Sequence, residues 1–437
     1  MSSEPARIRI GLLGFGTVGQ GVYKSLEKRG AELTLEIGAH LEIAGIVVRD
    51  LGRKRDVSVE EGLLTDDPEG LLADPTVPIL CELVGGVDEA LVWTRLALEN
   101  GKTVVTANKA LLCDHGEELM AIAEARGGRL FFEASVAGGI PVIKALREGL
   151  VANRFDRIYG ILNGTSNYIL TRMEREQISF EPVLDAARDL GYVEADESLD
   201  LDGWDAAHKT VILAWLAHRL WVPTAEMIVE GIRKITLDDM RFAGELGYRI
   251  KLIASIQRLS DSESVALSVR PTLVPLESLM ADVNDAFNAV RLEGDVAGPT
   301  VLIGRGAGQD PTASAVVSDL VDAGRARVSE VHPRSGTARP GDATRTATLE
   351  EIQQEYYVRL NVDDEPGVLA KVAGSFSQGQ ISIATVIQRE HSGEGTAALV
   401  LVTHVCTEAA LRNTLEDLCR ESFVRGAFLV CPILQPN

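Results

Sequence analysis

Between Leu199 and Lys209 the chain reads LDLDGWDAAHK. Asp200 and Asp202 stand just ahead of Gly203, where the pattern predicts a helix start. Asp205 and Lys209 are four residues apart, so on that helix they share one face. Thr210 to Ala217, TVILAWLA, comes next and is apolar enough to be buried on most sides. A lysine and three carboxylates pressed against a buried helix suggest a site that moves charge, because a buried charge has to be paired or used. An ordinary Asp–Lys ion pair on a half-exposed helix has the same spacing. The elements around the stretch decide between the two.

Far upstream, Arg7 to Leu13 reads as a short buried strand, followed by Gly14-Phe15-Gly16-Thr17-Val18-Gly19 and a helix-like run to about Arg29. In this GxGxxG the first glycine permits a tight turn and the second admits a pyrophosphate to the backbone. The third lets the helix pack on the strand. Free N–H groups and the helix dipole then hold phosphate, which predicts a dinucleotide site. A second strand, Leu41 to Val48, ends in Arg49-Asp50. An acid there suits the ribose hydroxyls of NAD, and an Arg suits the 2′-phosphate of NADP. With Arg53, Lys54 and Arg55 adding positive charge, NADP is favoured and NAD tolerated. A solvated basic loop is the alternative for residues 53–55. Further strands are expected at Pro78–Val84, Thr103–Thr106 and Phe131–Glu133, with a helix over Asp88–Asn100. Lys109 follows the Thr103–Thr106 strand, at the edge of an open α/β sheet where ligands bind.

From about residue 136 the pattern changes. Arg157–Asn163 predicts a strand, Gly164–Asn167 a turn, and Tyr168–Glu176 and Pro182–Leu190 helices. Tyr192–Asp202 is an acidic loop that delivers Glu194, Asp196, Glu197, Asp200 and Asp202, of which Asp196 and Glu197 read as solvated surface. Strands at 249–259, 265–274, 286–292 and 299–304 predict an α+β domain with a mixed sheet. A second glycine cluster, Gly304 to Gly308, precedes a helix at Pro311–Ala323 that is expected to pack back on the first domain. Pro333–Thr348 is polar and rich in turn formers, hence a linker. Beyond it the order of strands and helices is βαββαβ, the ferredoxin-like arrangement. The expected domains are a Rossmann-type α/β domain (1–135), a substrate and dimerisation domain (136–332), a linker (333–353) and a ferredoxin-like domain (354–437).

The 437 residues carry 43 Lys plus Arg against 64 Asp plus Glu, a formal charge of −21. That argues against nucleic acid or an anionic membrane as partner. Five cysteines with no CxxC make a disulfide framework or a zinc site unlikely by arithmetic, and fit a reducing cytosol. No signal-peptide core and no membrane-length apolar run occurs, so a cytoplasmic location is expected.

The chain resembles homoserine dehydrogenase over essentially its whole length. The segments that carry the resemblance are VTANKALL at 105–112, FFEASVAGGIPVI at 131–143, GILNGTSNYIL at 160–170, GYVEADESLDLDGWDAAHK at 191–209 and GRGAGQDPTASAVVSDL at 304–320. The resemblance implies NAD(P)-dependent interconversion of L-homoserine and L-aspartate 4-semialdehyde, on the route to threonine, methionine and isoleucine. By residue, Lys209 matches the proton-transferring lysine and Lys109 the lysine between cofactor and substrate. Glu194, Asp200 and Asp205 match acids that hold the substrate amine and orient the lysine. Gly164 and Thr165 match substrate contacts, and Phe15, Thr17, Val18, Arg49 and Gly306 match cofactor contacts. Glu133, with Val136, Gly138 and Ile140, matches a monovalent cation site, usually sodium. The C-terminal segment, with DDEPGVL at 363–369, resembles an ACT domain, which implies an amino-acid effector, with threonine the natural candidate. The family implies a homodimer or homotetramer. Two other readings fit parts of the chain. A phosphorylating semialdehyde dehydrogenase needs a cysteine nucleophile, and none lies between Cys113 and Cys406. A silent NAD(P)H and amino-acid sensor leaves Lys209 and Lys109 without a purpose.

Overall fold

Ile8, Ile10 and Leu12 alternate along the first strand and are buried, which starts a parallel sheet around one core. The computed structural model describes residues 5–193, 196–259, 263–329, 345–390 and 395–435. Contacts group the chain into two units, Met1–Asn153 with Val211–Pro223 and Leu302–Asp342, and Arg154–Thr210 with Thr224–Val301 and Ala343–Asn437.

In the first unit, β1 (Ala6–Leu13), β2 (Ala39–Val47), β3 (Leu64–Thr65), β4 (Ile79–Glu82), β5 (Thr103–Thr106) and β6 (Arg129–Phe131) form a six-stranded sheet in the order β3-β2-β1-β4-β5-β6. Every pairing in it is parallel. This is the Rossmann-like arrangement the glycine motif predicts. The first helix, Thr17–Ile37, runs past the expected end near Arg29. Leu26 and Ile37 extend its buried stripe across Gly30, and Gly38 at φ +81° closes it. The helix Gln309–Ser329 lies in the same core through Ala313, Val316 and Leu320. It also holds the first helix by a Gln309 hydrogen bond to the Thr17 carbonyl. A strand reaching Glu133 is not formed: β6 stops at Phe131 and Glu133–Ser135 makes one tight turn.

In the second unit, β7 (Phe155–Ile161), β8 (Ile228–Val229), β9 (Tyr248–Arg258), β10 (Ser264–Pro275), β11 (Phe287–Gly294), β12 (Gly298–Arg305) and β13 (Arg345–Thr346) make a mixed sheet in the order β12-β11-β7-β9-β10-β13, with β8 also on β10. The residues expected as a turn, Gly164–Asn167, are instead the first turn of the helix Gly164–Glu176. Asn163 caps it, its side-chain oxygen accepting from Ser166 N, so the helix starts four residues early. The acidic loop likewise contains a short helix, Glu197–Leu201, capped by Asp196.

The C-terminal segment adds β14 (Gln353–Gln354), β15 (Tyr356–Asp363), β16 (Ile383–Glu390), β17 (Thr396–Thr403), β18 (Cys406–Thr407) and β19 (Leu429–Pro432). Four of these form an antiparallel sheet in the order β16-β17-β15-β19. The helices Val368–Gln378 and Glu408–Leu418 complete the βαββαβ order. Residues 330–344 of the expected linker lie outside the described residues. The remainder is not a free tether, because β13 pairs with β10 and β14 with β18. By contacts the module groups with the mixed sheet, and the first unit runs to Asn153. Buried charge joins the module to the rest of the second unit. Asp239, fully buried, accepts from Arg359 Nε at 2.6 Å and from Tyr357 O–H at 3.0 Å.

Candidate active site

The glycine motif places each glycine in the role its position demands. Gly14 has φ +102°, and a Cβ there would sit 2.7 Å from the Leu83 carbonyl oxygen. A Cβ on Gly19 would sit 2.6 Å from the Gly14 carbonyl oxygen, so close helix–strand packing needs glycine. Around Gly16 there is open space, as an approaching pyrophosphate requires. Gly14, Phe15 and Gly16 line a cavity of about 470 Å³ together with Val47, Arg49, Asp50, Arg53, Arg55 and Glu89. Thr17 and Val18 open the helix at the rim of this turn. Arg49 ion-pairs with Glu89 at 2.6 Å. Arg55 folds onto the backbone carbonyls of Asp50 and Arg53, so the basic loop is partly ordered by itself.

On the same unit, Lys109 is the first residue of the helix Lys109–Arg126. Asn108 caps that helix at Leu111 N and donates to the Gly86 carbonyl at 2.7 Å. Beneath it lies Glu82, fully buried at the end of β4, accepting from Thr106 O–H at 2.6 Å and Val84 N at 2.9 Å. Glu82, which the sequence reading did not single out, therefore fixes the turn that presents Lys109. Burial pushes its carboxyl up to about 7, against the hydrogen bonds from Thr106 and Val84. Its folded value lies above its unfolded one, so this stabilisation is complete below about 4.5 and is lost as pH rises through about 7. Glu82→Gln stays neutral and keeps the shape. It should flatten the fall in stability across that window by on the order of 3 kcal/mol, read as urea midpoints over a pH series. A slope equal to that of the parent protein would refute this role.

Glu133 is buried, and its two carboxylate oxygens accept from Ile143 N at 3.0 Å and Lys144 N at 2.8 Å. Its own N–H donates to Asp319 Oδ2 at 2.7 Å. Burial raises both carboxyls, that of Asp319 to about 7. Val136, Gly138 and Ile140 follow in a buried loop. Gly138, at φ +48°, packs against the Gly306 backbone, where a Cβ would sit 2.5 Å from the Gly306 carbonyl oxygen. Gly139 N donates to the Arg305 carbonyl at 3.0 Å. The two glycine loops are thus one packed assembly. One carboxylate with backbone carbonyls is an oxygen donor set of the kind hard cations take. Among the described residues no group of three or more His, Cys, Asp or Glu side chains is arranged to hold a metal.

The second unit holds the opening stretch. Asp205, Lys209, Asp200 and Asn163 are all buried. Lys209 Nζ donates to Asp205 Oδ2 at 2.7 Å and to the Leu162 carbonyl at 2.7 Å. Asn163 Nδ2 donates to both acids, to Asp200 Oδ1 at 2.8 Å and Asp205 Oδ2 at 2.9 Å. The sequence makes Asn163 only the last residue of a strand, yet it ties together the two carboxylates flanking the lysine. Asp202 is not part of this cluster: it ends the Glu197–Leu201 helix and pairs with Arg233 at 2.7 Å. Glu197 pairs with Arg188 at 2.6 Å, a surface role as expected. Thr165 O–H donates to the Tyr192 carbonyl at 2.8 Å, which ties the helix start to the acidic segment. A Cβ on Gly164 would sit 3.0 Å from the Ala286 carbonyl oxygen. Glu194 lies outside the described residues. The half-exposed ion pair is therefore not what the stretch builds: Lys209, Asp200 and Asp205 are more than nine-tenths buried, and Asn163 and Lys209 link them by hydrogen bonds.

Comparison with known proteins bears on these geometries. Residues 14–133 match the family model "Homoserine dehydrogenase, NAD binding domain", and residues 141–321 match "Homoserine dehydrogenase". A homoserine dehydrogenase of Pseudomonas aeruginosa is 41% identical over 435 residues, covering 98% of this chain and 99% of the relative. The crystal structure of a homoserine dehydrogenase from Thiobacillus denitrificans superposes with a TM-score of 0.91 at 39% identity, covering 99% of both chains. A hyperthermophilic archaeal homoserine dehydrogenase in complex with NADPH matches 72% of this chain and 97% of its own, with a TM-score of 0.61 at 28% identity. With a glycine cradle for a dinucleotide in one unit and a buried acid-bound lysine in the other, the chain belongs to the homoserine dehydrogenase family of NAD(P)-dependent oxidoreductases acting on a CH–OH group.

Proposed function

We propose that the chain interconverts L-homoserine and L-aspartate 4-semialdehyde, with Lys209 handling the proton. The observation that carries this is the buried Lys209, held by Asp205 and the Leu162 carbonyl and backed by the Asn163 bridge to Asp200. A nicotinamide held at the glycine cradle would supply the hydride chemistry, at the carbon that bears the side-chain oxygen. Lys209 takes the hydroxyl proton in oxidation and returns it in reduction. Asp205 orients the lysine, while Asp200 and Glu194 take the substrate ammonium, since ionised carboxylates only accept. Gly164 and Thr165 line the substrate position. Lys109, on its capped turn, is given by the family match the task of steadying the substrate carboxylate or oxygen.

Phe15, Thr17, Val18 and Gly306 contact the dinucleotide, and Glu133 with the carbonyls of Val136, Gly138 and Ile140 would hold a monovalent cation, which the family resemblance makes sodium. That cation would stiffen the loop beside Gly306. Homoserine-dependent reduction of NADP⁺ and NAD⁺ tests the reaction directly, and no reduction with either would refute it. NADP is the favoured cofactor, supported by Arg49 in the cavity lining. Arg49→Ala should weaken NADPH roughly tenfold and NADH little, since one charge-assisted contact is lost. Equal losses, measured by fluorescence titration, would count against a 2′-phosphate role.

The C-terminal βαββαβ module reads as an ACT-like regulatory domain, with threonine binding at the 363–369 turn and inhibiting. The division of the chain at 135, 332 and 353 remains a proposal about folding units, and assembly as a homodimer or homotetramer follows the family. No described helix is long and apolar enough to cross a membrane, which is compatible with a cytoplasmic enzyme.

A further inference from the structure

Lys251, on β9, is 1% exposed. Its ammonium donates to the Val283 carbonyl at 2.6 Å, to Asn167 Oδ1 at 3.0 Å and to Asn284 Oδ1 at 3.3 Å. All three acceptors are neutral. Burial pushes its pKa down to about 8, with Arg249 and Arg175 acting in the same direction and Glu174 and Asp282 opposing them. A charge taken out of water and given no counter-charge costs stability. The proton transfer assigned to Lys209 does not use it, so its place in the core has another reason.

What the ammonium holds is the loop between β10 and β11. Asn167 Nδ2 donates to the carbonyls of Val283, Asp285 and Phe287, at 3.0, 3.0 and 3.1 Å. Asp285 N donates to Thr171 Oγ1 at 3.1 Å. Arg249, two residues before Lys251 and on the same face of β9, donates to the Ala281 carbonyl at 2.7 Å and to Glu174 Oε1 at 2.8 Å. Asn167, Thr171 and Glu174 form one stripe of the helix Gly164–Glu176. Alternate residues of a strand and one stripe of a helix therefore grip the same segment, 281–287. The segment needs the grip, because Asp285 is held at φ +57°, a left-handed conformation that residues other than glycine adopt at a cost. At its end the Ala286 carbonyl oxygen is pressed against Gly164, where a Cβ would sit 3.0 Å away.

We propose that Lys251 is a positioning residue for the homoserine reaction: through Asn167 and the 281–287 loop it fixes the start of the helix Gly164–Glu176, and with it Asn163, Gly164 and Thr165. The inference rests on the roles proposed above for those residues. Asn163 directly precedes the pressed turn, and its side chain joins Asp200 to Asp205. Leu162, one residue earlier, accepts from Lys209 through its carbonyl. A helix start that shifts therefore moves the partners of Lys209 together. Misplacement by about 1 Å at a reacting site can cost on the order of a hundredfold in rate. An apolar side chain at 251 would fill the space, but only a donor gathers oxygens from the loop and the helix onto one point.

Two variants of the full-length enzyme test the proposal. Lys251→Met keeps the length of the side chain and removes the donor. Thr171→Val keeps the shape and removes the acceptor for Asp285 N, so it slackens the loop from the helix side. In both, kcat for homoserine should fall and KM for homoserine rise, a combined loss in kcat/KM of roughly ten- to hundredfold. NADPH affinity, by fluorescence titration, should stay at the parental value. The melting temperature of Lys251→Met should stay near that of the parent, because the variant also removes a buried charge. A lysine that only supports the fold gives the reverse, a lower melting temperature with parental kcat and KM, and that result overturns the proposal. If Lys251→Met does not fold, Thr171→Val decides alone, and parental kinetics in it overturn the proposal. Hydrogen exchange at the amides of residues 164–167 and 285 needs no reaction. It should be faster in the variants than in the parent, and equal rates overturn the proposal as well. A parent enzyme that oxidises no homoserine brings down the reading of the site instead, and the clamp then stands or falls on the exchange rates.

Discussion

Lys209→Ala is expected to lose roughly 10²–10⁴-fold in the rate of homoserine oxidation, the usual contribution of a positioned acid–base group. NADPH binding should be nearly unchanged, because the glycine cradle and Arg49 line a separate cavity that does not include Lys209. The loss should fall on kcat more than on KM, since in the proposed mechanism the lysine acts on the hydroxyl proton, whose transfer belongs to the transition state. The variant also leaves Asp205 and the Leu162 carbonyl without the ammonium they accept from. A modest loss of stability is therefore expected alongside, and Lys209→Met, which keeps the apolar stem packed, separates that loss from the chemistry. Homoserine-dependent NADPH formation at saturating cofactor measures the first effect, and thermal melting the second. Near-parental rates in both variants would remove Lys209 from the mechanism.

Asn163→Ser should be the second large effect. Serine can still accept from Ser166 N and keep the helix cap, so the change should cost only a few tenths to about 1 kcal/mol of stability. What it cannot do is span from Asp200 to Asp205, where Asn163 Nδ2 now donates at 2.8 and 2.9 Å. Two buried carboxylates then lose a shared donor, and the lysine's partner is free to rotate. Loss of a hydrogen bond to a charged group is worth about 1.5–3 kcal/mol, so kcat should fall roughly ten- to hundredfold with the melting temperature nearly held. If kcat and stability decline together in Asn163→Ser, the residue is a helix cap and nothing more.

The parts legible in the sequence are those whose physics is local. The roles of Gly14, Gly16 and Gly19 follow from a turn, an open approach and a close crossing within six residues, and the structure gives each glycine that environment. The Asp205–Lys209 pair was readable because helical spacing alone places it. Asn163 was not, because its partners lie 37 and 42 residues away and its local signal is that of any capping residue. Glu82 escaped for the same reason, with Thr106 24 residues on. The early helix start at Gly164 turned on that cap, which competes with the turn propensity of a Gly-Thr-Ser-Asn run. Polarity predicted a linker reaching residue 353, but backbone pairing at Arg345–Thr346 and Gln353–Gln354 outweighs it. The Lys251–Asn167 contact, across 84 residues, leaves no trace in periodicity or composition.

The proton-handling role of Lys209 is tested most directly by adding primary amines to Lys209→Ala. Small amines that enter the space left by the side chain can carry the proton in its place. The rate of homoserine-dependent NADPH formation should rise from its low base with amine concentration, and more steeply for the more basic amines of equal size. Turnover at close to the parental rate with no amine present would contradict the account.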